Sequence, residues 1–280
     1  MWTITQSVSF DRRARQWVKR EGRLVGAVNI GELRAYVFPL YTPLGRLVIQ
    51  ESPVDHPHHQ GLTVGANLNG WDVWNAGSFG IPRSRQVPVE EECHSRADEG
   101  GARFHLTLGW TSAAGEKLLR EERSIAFSSA RYGNIVDMRS RLIACYGDVR
   151  FAQTKEAGLA MRIPAEWETA HGGIILDAAG RMGERDIFDQ IAAWIDVSGE
   201  GPRGILAGIT LMPHKDCPSV PWMVRDYGLH VYNPWRHRQI TVARGESYEL
   251  GVRYVAHDGR ATLDEIAAWY QDCPPNVTQT

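Results

Sequence analysis

The stretch RFHLTLGWT, residues 103–111, alternates polar and apolar residues over its whole length. This period of two is typical of a β-strand with one buried face. Comparable short runs, separated by glycine, proline and asparagine, recur along the chain. They lie at residues 23–30, 33–41, 46–50, 134–145, 159–163, 173–178, 192–199, 204–212, 228–233, 239–243 and 248–259. Turn signals at this spacing indicate an all-β antiparallel sandwich and argue against alternating strand–helix units.

One segment has helical spacing instead. In TLDEIAAWYQDC, residues 262–273, Thr262 and Glu265 form the T-x-x-E pattern of a capping box. RGES, residues 244–247, is a plausible hairpin turn between the runs at 239–243 and 248–259. We therefore predict a single antiparallel β-sandwich or supersandwich domain over residues 1–280, with a C-terminal helix at 262–273.

The bulk composition excludes several classes of protein. With a net charge of −2, the chain has no basic footprint of the kind that nucleic-acid-binding proteins carry. No window approaches 18 uninterrupted apolar residues, so no membrane span or membrane partner is expected. No signal peptide is visible at the N-terminus, and the four cysteines form no C-x-x-C pair. We therefore expect a cytoplasmic protein with reduced thiols.

The sequence DHPHHQGL, residues 55–62, places three histidines within four positions. In an extended segment, His56 and His58 would share one face and His59 would oppose them. Two imidazoles on one face suit a transition-metal ion if further ligands come from elsewhere. Histidines at such a position also carry protons and contact polar ligands. A loop with one structural histidine is the third interpretation.

Two further segments carry candidate site residues. In QTKEAGLAMRI, residues 153–163, Lys155 and Glu156 would point to opposite faces of a strand. Glu156 is a candidate metal ligand or general base, and Lys155 is a candidate for holding an anionic oxygen; a solvated ion pair is the alternative. Residues 211–235 form a proline-rich segment that suits a binding rim, or a loop that covers a sheet edge. His214, within it, is the best candidate for an imidazole near His56 and His58.

Common catalytic motifs are absent from the sequence. It has no phosphate-binding G-x-x-x-x-G-K-[ST], no G-x-G-x-x-G after a strand, no G-x-S-x-G elbow and no H-E-x-x-H. Nucleotide binding, a serine-hydrolase triad and a zincin site therefore lack support.

The blocks HPHHQGL, NGWDVWN, KEAGLAMRI, AAWIDVSG and ITLMPHKDCPSVPWMVRDYGLHVYNPW resemble, in this order, the PmoA-like domain family of unknown function. The chain departs from that pattern at Gln60, where arginine is usual, and in PHKDCPS, where H-P-x-N is frequent. The family takes its name from a membrane-bound methane oxygenase subunit, which a chain without a spanning segment does not match. The resemblance implies a galactose-mutarotase-like β-sandwich and a role in carbohydrate metabolism.

The leading hypothesis is a carbohydrate-active enzyme. It is a glycosidase or other hydrolase, or a lyase or epimerase, and its partner is a small sugar or glycoside. The candidate catalytic residues are His56, His58, Glu156 and His214, which are also the candidate ligands should the unidentified cofactor be a divalent metal ion. The candidate substrate-binding residues are His59, Gln60, Trp71, Trp74, Asn75, Lys155, Trp222, Arg225, Tyr227 and Asn233, with Trp235 completing a set of stacking tryptophans. An Fe- or Cu-dependent oxygenase and a non-catalytic sugar-binding module are the alternatives, and a homo-oligomer stays open.

Overall fold

The computed structural model describes residues 1–8 and 14–274. Its strands are β1 (Trp2–Val8), β2 (Ala14–Arg20), β3 (Arg23–Ile30), β4 (Ala35–Leu40), β5 (Leu62–Gly65), β6 (Asn67–Leu68), β7 (Trp71–Asp72), β8 (Arg85–Pro88), β9 (His94–Asp98), β10 (Gly101–Thr111), β11 (Lys117–Ala130), β12 (Gly133–Ile143), β13 (Val149–Phe151), β14 (Gly158–Arg162), β15 (Ile174–Asp177), β16 (Ile195–Gly201), β17 (Ile205–Pro213), β18 (Met223–Val224), β19 (Leu229–Tyr232), β20 (Ile240–Val242) and β21 (Ser247–Asp258). The α-helices are α1 (Gly183–Ile187) and α2 (Leu263–Gln271).

The strands form two large antiparallel sheets and one small one. The eight-stranded sheet has the order β1-β2-β3-β4-β5-β14-β19-β18. The nine-stranded sheet has the order β15-β16-β17-β21-β12-β11-β10-β8, with β9 also paired to β10. A four-stranded sheet, β20-β13-β6-β7, completes the architecture. The predicted antiparallel β-sandwich is confirmed.

The main core combines residues from both large sheets. Val37 and Leu159 come from the eight-stranded sheet, and Leu108 and Val136 from the nine-stranded one. All four side chains are fully buried. Burial of such side chains supplies about 1.5–3 kcal/mol each, so this layer holds the two sheets together.

The core also contains a buried ion pair on β11. Arg123 donates to Glu121 at 2.7 Å, and both side chains are fully buried. The pair is fully hydrogen-bonded, because Glu121 also accepts from Trp110 and Ser140, and Arg123 donates to the backbone of β4 and to Gln86. This strand was missed in the sequence because charged residues occupy two of its core-facing positions.

Other local predictions had mixed outcomes. The capping box of α2 is present: the side chain of Thr262 accepts from the backbone of Glu265, whose side chain accepts in return. The strand predicted at 46–50 is wrong, since only an isolated bridge between Tyr41 and Leu47 forms there. The hairpin predicted around 244–247 is also wrong, because β20 pairs with β13 and not with β21. Within the described ranges, no helix has the length and apolar character to cross a membrane.

Candidate active site

The candidate site lies on the outer face of the eight-stranded sheet, around β14. Side chains alternate along this strand, so Leu159 and Met161 face the main core. Ala160 faces outwards and packs in a second apolar cluster with Trp74 and Met223. Trp74 approaches closely at Gly65, where a Cβ atom would lie 2.7 Å from the indole ring.

The loop that carries the histidines, residues 51–60 (the histidine loop), is fastened to β14. Glu51 pairs with Gln60 at its base. The backbone N–H of Gln50 donates to Arg162, and the N–H of Arg162 donates to Gly61. Gly61 has a φ of +54°, and a Cβ there would lie 2.1 Å from a backbone oxygen, so glycine is required at this position.

The histidine loop turns tightly instead of extending. The N–H of His59 donates to the carbonyl oxygen of His56 at 2.9 Å. As a result the ring of His56 stacks on His59, with centroids 4.7 Å apart and planes 7° apart. His58 and His59 are edge to face at 4.3 Å. The predicted face sharing of His56 with His58, against His59, is therefore wrong, because it assumed an extended backbone.

His58, His59 and Glu156 converge and are named here the His–Glu cluster. One ligand atom from each lies within 4.8 Å of the others. Both histidines are buried, with 4% and 2% of their surface exposed. None of their four ring nitrogens has a hydrogen-bond partner among residues 1–8 and 14–274. Two of the predicted catalytic residues, His58 and Glu156, therefore lie together, and His59 joins them.

Lys155 and Glu156 do not lie on a strand. They occupy a bend just before β14, and the Lys155 Nζ atom lies 3.7 Å from a Glu156 carboxylate oxygen. Opposite orientation on a strand, as predicted for these two residues, is wrong, because the strand begins only at Gly158. The lysine side chain is 52% exposed and the glutamate 23%, so this ion pair opens to solvent.

Burial keeps both cluster histidines neutral at neutral pH. It lowers the pKa of His58 to about 4, with help from the charges of Arg34, His56 and Arg162. Burial likewise lowers the pKa of His59, and together with the charges of its neighbours it brings this pKa to about 2. Neutral imidazoles have a free lone pair, which a metal ion or a hydrogen-bond donor can occupy.

Asp55 and His56 form a dyad at the rim. A carboxylate oxygen of Asp55 lies 2.7 Å from Nδ1 of His56. Partial burial acts to raise the pKa of Asp55, but the hydrogen bond with His56 and the charge of Arg162 outweigh it and hold the pKa below its ordinary value. The dyad therefore leaves Nε2 of His56 for another partner.

Two arginines flank Tyr227 at the same place. The guanidinium of Arg162 lies 5.1 Å from the ring centroid and that of Arg225 lies 5.4 Å from it. Burial raises the pKa of Tyr227 to about 12, and the charge of Glu156 adds to this effect, so the phenol keeps its proton. Tyr227 also stacks on His56 at 5.0 Å. The predicted residues Arg225 and Tyr227 thus lie beside His56 at the candidate site.

Arg162 is a site residue that the sequence analysis missed. Its side chain is 2% exposed, and Nη2 makes long contacts of 3.4 Å to Asp55 and 3.5 Å to Glu168. In the described structure its Nε and Nη1 have no hydrogen-bond partner. An arginine inside an apolar strand was a signal that the sequence offered, since buried charges require partners or a ligand.

Arg34 and Phe79 were also missed. Buried Arg34 donates to the backbone oxygens of Trp74 at 2.8 Å, Val73 at 3.2 Å and His58 at 3.5 Å. Phe79 is 66% exposed, and its ring lies 5.4 Å from that of His58. Arg34 therefore joins two loops beneath the site, while Phe79 contributes an apolar rim.

His214 and Trp222 are each 1% exposed and make contacts within the fold. Nε2 of His214 lies 3.4 Å from a carboxylate oxygen of Asp137, and the backbone N–H of His214 donates to the carbonyl oxygen of Gly251 on β21, so this residue belongs to the nine-stranded sheet and not to the His–Glu cluster. The indole of Trp222 donates to the carbonyl oxygen of Ala192.

The remaining predicted contacts are of the same kind. Asn233 donates to the carbonyl oxygens of Thr154 and Lys155. Trp74, Trp222 and Trp235 are each 1% exposed, so they cannot present the expected stacking surfaces to a sugar. Half-buried Trp71 donates to Glu116, Asn75 donates to Asp72, and Gln60 closes the histidine loop.

Depressions on the surface of the described residues include a hollow and a larger groove. A hollow of about 300 Å³, lined by Gln153, Thr154, Lys155, Arg236 and His237, shares Lys155 with the ion pair beside the cluster. A larger groove of about 510 Å³ lies on the nine-stranded sheet. Charged residues that line this groove are paired, as in Arg253 with Asp137 and Arg141 with Glu122. The unpartnered polar atoms of the cluster therefore make it the stronger candidate.

A family model described as "Family of unknown function (DUF6807)" matches residues 18–271. The assignment to the PmoA-like family is therefore wrong, because the model that matches is a different one. No curated protein matches the chain.

Several solved structures match this chain at low sequence identity. Galactose 1-epimerase from Lactobacillus acidophilus is 9% identical, with a TM-score of 0.45 over 93% of this chain and 99% of that one. A galactose mutarotase-like protein from Lactobacillus casei is 11% identical, with a TM-score of 0.34 over 91% and 100%. A 4-alpha-glucanotransferase from Thermococcus litoralis is 10% identical, with a TM-score of 0.34 over 90% of this chain and 39% of that one. Those names describe the matched proteins; the chemistry of this chain depends on its own side chains.

Proposed function

Since this chain belongs to the DUF6807 family of unknown function, we propose its activity from its site: it is an enzyme that converts a sugar or glycoside by moving a proton. The observation that carries the proposal is the His–Glu cluster, in which two buried, neutral, unpartnered imidazoles face one carboxylate. Buried polar groups in proteins are almost always satisfied, so such a concentration points to a polar ligand.

His56 is the proposed proton carrier. Asp55 holds Nδ1 at 2.7 Å, and a carboxylate in that position fixes the tautomer and orientation of an imidazole that acts as a base. The His56 side chain is 28% exposed, so a substrate can reach it, whereas His58 and His59 are enclosed.

Arg162 and Tyr227 would stabilise the negative charge that forms when the proton leaves. Arg162 has two unpartnered nitrogens within the described ranges, and Tyr227 keeps its hydroxyl proton. Donors that are fixed before the reaction lower the energy of an oxyanion or enolate without reorganising. The chemistry that fits is proton abstraction next to a carbonyl, which leads to epimerisation or to β-elimination.

The number of available carboxylates favours this class over ordinary glycoside hydrolysis. Ordinary glycosidases place two carboxylates across the bond that is cleaved. In this site Asp55 is engaged by His56 and Arg162, which leaves Glu156 as the cluster's single carboxylate. Sugar substrates suit the several hydrogen-bond donors, the rings of Tyr227 and Phe79 at the rim, and the adjacent hollow.

The experiment is a proton-exchange screen in deuterium oxide. Aldoses, ketoses and 3-keto-glycosides are incubated with the protein, and NMR follows deuterium entering the position beside the carbonyl and any elimination product. We expect exchange with at least one sugar, and a loss of about 100-fold or more in His56→Asn. His94→Asn, which removes an exposed imidazole on β9, is the matched control and keeps the wild-type rate. Exchange with none of these sugars, or an unchanged rate in His56→Asn, would overturn the proposal.

The donor set also favours a second candidate. Two histidines and one carboxylate are the ligands of non-haem iron oxygenases. Under that alternative, conversion requires Fe²⁺ and stops when oxygen is removed. Proton exchange that continues under anaerobic conditions excludes it. A sugar-binding module predicts binding without conversion under either condition.

A further inference from the structure

We propose that His58, His59 and Glu156 bind one divalent transition-metal ion. The inference concerns the same site, but metal binding can be measured without a substrate. Only the catalytic use of the ion, to polarise a sugar oxygen, rests on the proposed function.

The geometry is close to that of a bound site. The three ligand atoms lie within 4.8 Å of one another. Transition metals hold nitrogen and oxygen ligands at about 2.0–2.2 Å, so ligands of one ion lie about 3–4 Å apart. A contraction of about 1 Å, within reach of side-chain rotation, completes the coordination.

The donor chemistry selects the class of ion. Imidazoles suit Zn²⁺, Fe²⁺ and similar ions, whereas Ca²⁺ and Mg²⁺ prefer oxygen alone. Three protein ligands leave one or more coordination positions open, which is the arrangement of catalytic and not of structural metal sites.

The ring nitrogens provide an independent observation. His58 and His59 are more than nine-tenths buried, and each lacks a hydrogen-bond partner for both nitrogens in the part of the chain that is described. Packing holds the rings instead, since the ring centroid of Trp74 lies 6.2 Å from that of His58 and 6.0 Å from that of His59. A metal ion would satisfy one nitrogen on each ring.

The cations around the cluster each lie near an opposite charge, and for Lys155 that charge is Glu156 itself. The charge of Asp72 acts on Arg34, and Asp55 and Glu168 contact Arg162. Lys155 lies 3.7 Å from Glu156 and therefore competes with a metal ion for the same carboxylate. Because this lysine is half exposed, it can turn into solvent when an ion binds.

Because of this competition, substitutions at Glu156 and Lys155 should change the metal affinity in opposite directions. The full-length protein is freed of metal with a chelator and titrated with Zn²⁺ by calorimetry, and with Co²⁺ by visible absorption. We expect one ion per chain. Glu156→Gln and His59→Ala should weaken binding by about 10- to 100-fold, whereas Lys155→Met should strengthen it by about 2- to 5-fold. His94→Ala is the control for loss of one exposed imidazole and keeps the wild-type affinity.

The outcomes separate the metal site from the enzyme activity. If wild type binds no ion stoichiometrically, or if Glu156→Gln binds as tightly as wild type, the metal site is wrong. Glu156→Gln replaces a half-buried group with one of equal size, and circular dichroism confirms that it is folded. Proton exchange that persists after chelation would leave the proposed function standing and overturn the metal's part in it. Stoichiometric metal binding without any turnover would leave the metal site standing and overturn the proposed function.

Discussion

Arg34 donates a hydrogen bond to the carbonyl oxygen of Trp74 at 2.8 Å from a position that is 2% exposed. Burial lowers the pKa of this guanidinium to about 10, so it stays charged at neutral pH. The same side chain reaches the backbone of the histidine loop at His58. One buried cation thus sets the separation between the histidine loop and the segment that carries Trp74.

We predict that Arg34→Met destabilises the protein by about 2–4 kcal/mol, because it leaves buried carbonyl oxygens without donors. Urea denaturation measures the change. Arg185→Met is the matched control, since Arg185 pairs with its exposed neighbour Asp186, and its effect should stay within about 0.5 kcal/mol. Equal effects of the two substitutions would contradict the structural role of Arg34.

Asp55→Asn should lower kcat for an identified sugar by about 100-fold and change KM little, because the amide no longer fixes the His56 tautomer. Steady-state kinetics measure both constants. Asp186→Asn, which removes an exposed carboxylate elsewhere, should leave both unchanged. A change in KM alone would indicate that Asp55 contacts the substrate and does not orient His56.

Gly65→Ala should cost about 1–3 kcal/mol, because its Cβ would lie 2.7 Å from the Trp74 ring. Gly109→Ala is the comparison, since the nearest atom to its Cβ is 3.8 Å away. Thermal denaturation should place Gly65→Ala below wild type and Gly109→Ala within about 0.5 kcal/mol of it. If Gly65→Ala leaves the free energy of unfolding unchanged, Trp74 can move away from the new methyl group without loss of stability.

His230 predicts a loss of stability at acid pH. Burial lowers its pKa from 6.5 to about 3, and the charge of Arg162 adds to this. The unfolded chain therefore takes up the proton first, so the contribution is complete above pH 6.5 and is lost as the pH falls towards 3. This residue alone contributes a slope of about 1.4 kcal/mol per pH unit in that window. His230→Leu should flatten the dependence of the unfolding free energy on pH, whereas His94→Leu should not.

Zn²⁺ at about 100 times its Kd should raise the unfolding free energy by about 2.7 kcal/mol, and the melting temperature by about 5 °C or more. Differential scanning fluorimetry measures the shift. In Glu156→Gln, whose affinity should be about 10- to 100-fold weaker, the gain at the same concentration should fall to about 0.4–1.4 kcal/mol. An equal shift in that variant would place the ion elsewhere.

The sequence predicted those parts of the fold in which side chains follow their simple preferences. Residues 103–111 alternate apolar residues with polar residues or glycine, and β10 forms over Gly101–Thr111. Thr262 and Glu265 cap α2 as expected, because both partners of a capping box are local. β11 escaped detection because Glu121 and Arg123 face the core, where alternation predicts apolar residues. Their pairing depends on Trp110, Gln86 and β4, which no local pattern reveals.

The site was only partly predictable for a related reason. Three histidines around Pro57 indicated a polar site, and Glu156 does meet two of them. Which two histidines meet Glu156 depends on a backbone turn. The hydrogen bond from the N–H of His59 to the carbonyl oxygen of His56 brings His59 to the side of His58. His214 and the tryptophans at 222 and 235 lie far along the chain, and their burial follows from how the sheets pack. No periodicity in the sequence fixes that packing.

Strand β14 contributes Leu159 and Met161 to the main core, and Ala160 and Arg162 to the face that carries the site. Any repacking beneath this strand will therefore also move the guanidinium above it. Under the proposed function, a screen that selects only for heat resistance should return variants with altered turnover, even when their substitutions lie in the core and not at the candidate site. Thermal stability and catalytic rate therefore both depend on the five residues of β14.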